Sequence, residues 1–82
     1  MIERIKAGVK PTDILRELNA KNPEMNNYEL SDIFHENFIG ISGEAKQAIW
    51  YWKEGRKSEG GYSDNQLDEI LMKALREAGL LE

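Results

Sequence analysis

Apolar residues recur at three- and four-residue spacing along almost the whole chain, and no stretch alternates apolar and polar positions long enough to suggest a strand. Ile2 and Ile5 share one face of a short segment that ends near Ala7, stopped by Gly8. A second helix is predicted from Pro11 or Thr12 to about Lys21, with Ile14, Leu15 and Leu18 on its buried side. Pro11 suits a first helical position, and Asn22-Pro23 ends the helix because the residue before a proline is pushed out of the α region. A third begins near Asn26-Asn27, where Asn26 and Glu29 have capping-box spacing, and carries Leu30, Ile33, Phe34 and Phe38 to Gly40. The apolar linker Ile39-Gly40-Ile41 is expected to pack down.

Ser42 is the expected cap of a fourth helix running from about Glu44 to Glu54, with Gly55 closing it. After a polar loop over 56–61 comes the strongest helix signature. Ser63 and Gln66 form a capping box, Tyr62 and Leu67 are placed for a hydrophobic staple, and Asp64 sits in the first turn. Leu67, Ile70, Leu71, Ala74, Leu75 and Ala78 make a regular stripe, and Gly79 then Leu80 suit a glycine-terminated end. The whole pattern predicts an all-α fold: one domain over 1–82, a compact bundle of four main short helices with room for an extra short N-terminal helix.

At 82 residues the core must be well filled for the domain to hold together. The absence of cysteine leaves packing alone to do this and agrees with a cytoplasmic protein. The charged N-terminus Met1-Ile2-Glu3-Arg4-Ile5-Lys6 does not read as a secretory signal, and no apolar run approaches a membrane span. Net charge is −4: residues 1–27 are weakly basic (five basic against four acidic), 28–55 acidic (two against five) and 56–82 acidic (four against six). That balance favours a basic partner over nucleic acid.

Little catalytic chemistry is on offer. His35 is the single histidine, lies one residue from the apolar face, and has no evident triad partners. One histidine without cysteine does not furnish the usual zinc ligands, and Asp64, Asp68 and Glu69 read as a solvated helix face without calcium-loop spacing. Gly60-Gly61 lacks the strand and the spacing of a phosphate loop. The sequence therefore predicts no enzyme, no cofactor and no small-molecule substrate.

The aromatics remain. Trp50-Tyr51-Trp52 fall within the predicted fourth helix, where successive residues turn by about 100°, so the three cannot share a face. Ala45, Ala48, Ile49 and Trp52 make the buried stripe. Trp50 points away from it and is either covered by a second layer of the same chain or left for a partner. Tyr51 points to one side and suits a contact surface that Arg56 and Lys57 would extend.

The stretch Ile49-Trp50-Tyr51-Trp52-Lys53-Glu54-Gly55 resembles the Tyr-Tyr-Pro-Lys-Glu-Gly stretch of colicin nuclease immunity proteins, small acidic four-helix inhibitors of DNA-cleaving toxins. Trp52 stands where that family has proline, and the family's dense acidic helix is matched only by scattered Glu29, Asp32 and Glu36. The resemblance implies Tyr51 as a partner contact. The leading expectation is thus a non-enzymatic adaptor, regulator or inhibitor that binds a protein, self or foreign. One alternative is an acidic immunity-type inhibitor of a basic enzyme. Another is a nucleic-acid-binding regulator with a helix-turn-helix-like N-terminal half. In that case Lys6, Lys10, Arg16 and Lys21 would bear the phosphate contacts, because the outer face of the third helix offers Tyr28, Glu29, Asp32, Glu36 and Asn37.

Overall fold

The computed structural model describes residues 2–52 and 61–81. These form an all-α bundle of four main helices and a short N-terminal one: α1 (Ile2–Lys6), α2 (Pro11–Lys21), α3 (Asn27–Asn37), α4 (Gly43–Trp50) and α5 (Asp64–Glu77). α3 packs most extensively on α4, while α5 lies against both α2 and α4.

Local chemistry sets most of the helix ends. Asn26 Oδ1 accepts from the Glu29 N–H (2.9 Å) and Ser42 Oγ from the Ala45 N–H (3.3 Å). The Ser63–Gln66 capping box is present in both directions. At the far end of α5, Gly79 takes φ 75°, its N–H donates to the Arg76 carbonyl, and the Leu80 N–H reaches back to Leu75, a Schellman closure. Gly8, at φ 104°, ends α1 in the same way.

The core gathers one face from every helix: Ile5, Ile14 and Leu15, Leu30 and Phe34, Ala45 and Ile49, then Leu67, Leu71 and Leu75. Phe34 and Phe38 stack at 4.4 Å between ring centroids. Ile33 and Ile70, expected on the buried stripes, are only partly buried. The linker after α3 divides: Ile41 is buried, whereas Ile39 is 81% exposed, so this turn packs through one of its two isoleucines.

α4 is shorter than its sequence predicts. It stops at Trp50 rather than Glu54, and Trp52 lies outside it, bridged to Tyr62. The reason is competition for carbonyl groups. The Asn27 side-chain amide donates to Trp50 O (3.2 Å) and Trp52 O (2.9 Å), and the Tyr62 N–H donates to Tyr51 O (2.7 Å). The Trp52 N–H meanwhile turns back only three residues, to Ile49 O, tightening the last turn. The predicted closure at Gly55 lies outside the described residues.

Candidate functional site

The end of α4 places its aromatic residues in three different environments. Trp52 is 1% exposed, donates its indole N–H to Asp64 Oδ1 (3.0 Å), and carries the Arg16 guanidinium 5.6 Å from its ring centroid. Trp50 turns toward α3 and is partly buried. Its indole N–H donates to Ser31 Oγ (2.8 Å) and its ring lies 5.2 Å from that of Tyr28, tilted by 49°. Ser31 is itself fully buried and donates to the Tyr28 carbonyl (2.6 Å), so its hydroxyl both gives and accepts. The outward position of Trp50 is therefore covered in part by its own chain, which makes it a fixed element of the α3–α4 seam more than a free anchor.

Tyr51 differs. It is 56% exposed and lines a groove of about 420 Å³ between α4 and α5 on the side away from Trp50's partner helix. Tyr62 stands beside it, with Ala48, Ile70 and Ala74 contributing apolar surface. An adjoining depression of about 590 Å³ carries the groove on toward Gly40 and Ala78, sharing Glu44, Gln47 and Glu77 with the first. Consecutive residues Trp50 and Tyr51 thus serve two seams: the structure does not bring them together on one patch. Arg56 and Lys57, expected to extend the Tyr51 surface, lie outside the described residues.

Electrostatics along the groove are uneven. Glu44 and Glu77 are exposed and make no ion pair or side-chain hydrogen bond among the described residues. Glu77 sits in the last turn of α5, where the helix dipole disfavours an acid. Lys73 lines only the Tyr51 half. Sequence reading missed Glu44 and Glu77 because nothing local relates them; only the packing of α4 on α5 does.

Of the residues of the nucleic-acid alternative, Arg16 is engaged by acids within the fold. Arg16 pairs with Asp64 and lies near Asp13 (3.9 Å) besides covering Trp52. Lys6, Lys10 and Lys21 are exposed, with Lys10 and Lys21 at opposite ends of α2, about 16 Å apart along its axis. Arg4 is bound to Glu17 (2.6 Å). On α3, Asp32 pairs with Lys46 (2.7 Å) while Glu29 and Glu36 remain exposed.

Of the carboxylates expected on a solvated face of α5, Asp64 and Asp68 instead join it to α2, while Glu69 is exposed. Asp68 accepts from both the Thr12 N–H (2.9 Å) and the Thr12 hydroxyl (3.0 Å), so it caps α2 from another helix. Partial burial pushes the Asp64 carboxyl up, but the hydrogen bonds from Trp52 and Arg16, with the charges of Arg16 and Lys10, outweigh it and hold the carboxyl below its ordinary range. His35 is partly buried on α3 and makes no side-chain hydrogen bond or ion pair among the described residues. No group of three or more His, Asp or Glu side chains is arranged to hold a metal ion, and no helix is long and apolar enough to cross a membrane, among the described residues.

No family model, curated protein or solved structure matches this chain.

Proposed function

We propose that this protein is a small non-enzymatic helical domain that works in the cytoplasm by protein–protein contact, as an adaptor, regulator or inhibitor. The observation that carries the reading is Tyr51. Its ring is 56% exposed beside the α4–α5 groove, while its backbone is fixed by the N–H bond to Ala48 O (3.2 Å) and by the carbonyl accepting from Tyr62 (2.7 Å). An aromatic ring presented on a rigid backbone loses little freedom on docking, and large aromatics dominate interface hot spots. Trp50, held against Ser31 and Tyr28 at the α3–α4 seam, is not part of this surface.

Sedimentation of the purified protein separates self-association from a foreign partner. Affinity capture with the wild type and with Tyr51→Ala then tests the surface. The reading requires a partner, or a dimer, that the variant loses while its circular dichroism stays unchanged. A monomeric wild type that captures the same proteins as the variant would refute it.

A further inference from the structure

The α4–α5 groove combines aromatic and acidic surface, and the combination specifies an occupant. At one end Tyr51 and Tyr62 offer aromatic surface with Ala48 and Ala74 beside them. Two carboxylates, Glu44 and Glu77, line that end and the adjoining depression alike, with Lys73 the basic residue among the described lining of the Tyr51 end. Glu77 adds its charge to the negative pole of α5, an arrangement that costs stability to the isolated fold. Neither carboxylate is neutralised by an ion pair among the described residues. Of the other acids, Asp64 pairs with Arg16, Asp32 with Lys46 and Glu17 with Arg4, whereas Glu29 and Glu36 on α3 make no ion pair among the described residues and line no such groove.

We propose that this groove receives a basic segment of a partner protein, an apolar side chain lying against Tyr51 and Tyr62 while a lysine or arginine reaches Glu44 and Glu77. The inference rests on the protein-contact reading above and adds the partner's chemistry. Charge complementarity carries it: two carboxylates without an ion pair among the described residues attract a cation and repel a phosphate backbone. A second copy of this chain, with net charge −4, is repelled overall.

The test uses the full chain and two synthetic amphipathic peptides, one of leucine and lysine, the other with glutamate in place of every lysine. The lysine peptide is expected to shift the amide resonances of Ala48, Ala74 and Glu77 saturably, and to bind more weakly as salt is raised. The double variant Glu44→Gln/Glu77→Gln should weaken it roughly three- to tenfold, the size expected for two exposed ion pairs. The glutamate peptide should not compete. Equal binding of both peptides, or an affinity for the lysine peptide that the double variant leaves unchanged, overturns the inference. If Tyr51→Ala still weakens binding in that event, the contact reading survives and only the basic partner is lost. A concentration-dependent dimer abolished by Tyr51→Ala also overturns it, because the groove is then filled by a second copy.

Discussion

The side-chain nitrogen of Asn27 lies 2.9 Å from the carbonyl oxygen of Trp52, so a residue in the first turn of α3 helps determine where α4 ends. Asn27 is only 2% exposed and also reaches Trp50 O, which makes one buried amide the donor for two carbonyls. Replacing it by Ala leaves both carbonyls without that donor and is expected to cost about 2 kcal/mol in urea unfolding. Asn27→Asp is nearly isosteric but turns a carboxylate oxygen toward the two carbonyls. It should cost more than the Ala variant, about 3 kcal/mol or above. Equal stabilities for the two variants would show that shape rather than donation matters at this site.

The Trp50–Ser31 bond predicts a measurable coupling. Trp50→Phe keeps an aromatic ring facing Tyr28 but removes the indole donor, and Ser31→Ala removes the acceptor. Each single change should cost about 1 kcal/mol, and a double-mutant cycle should return a coupling of about 1 kcal/mol. Strict additivity would mean that the hydrogen bond contributes nothing.

Capping of α2 by Asp68 gives a third expectation. Asp68→Ala frees the Thr12 N–H at a helix start and should lower stability by about 1–2 kcal/mol. Thr12→Val removes only the hydroxyl bond and should cost less than Asp68→Ala. Thermal unfolding of the two variants side by side checks the order.

Asp64 sets a pH dependence whose sign follows from its environment. Its carboxyl is held down in the folded state, so the folded protein binds fewer protons there than the unfolded chain. The resulting stabilisation is complete above the unfolded value of about 3.9 and is lost as pH falls from there through the folded value. Melting temperature of the wild type should therefore fall more steeply below about pH 4 than that of Asp64→Asn. Parallel curves across that range would remove Asp64 from the acid response.

Legibility in the sequence follows how far each determinant lies from what it determines. α5 was readable at both ends because Ser63 and Gln66 cap each other three residues apart and Gly79 closes its own turn. The end of α4 was not, because Asn27 acts from 25 residues away and competes with continuation of the helix. Asp64 and Asp68 looked solvated because their partners, Arg16 and Thr12, are 48 and 56 residues distant. Tyr51 was found as an exposed aromatic from helical phase alone. Its groove was invisible, since Glu44 and Glu77 meet only when α4 packs against α5.

The Thr12–Asp68 contact also bears on whether any part of the chain is autonomous. α2 borrows the acceptor for its first turn from α5, and α4 borrows the donor for its last turn from α3. The part of the chain up to Trp52 holds the donor that α4 needs but not the acceptor that α2 needs. Cutting the chain between Trp52 and Gly61 is therefore expected to leave α2 without its capping acceptor until the C-terminal fragment is added back.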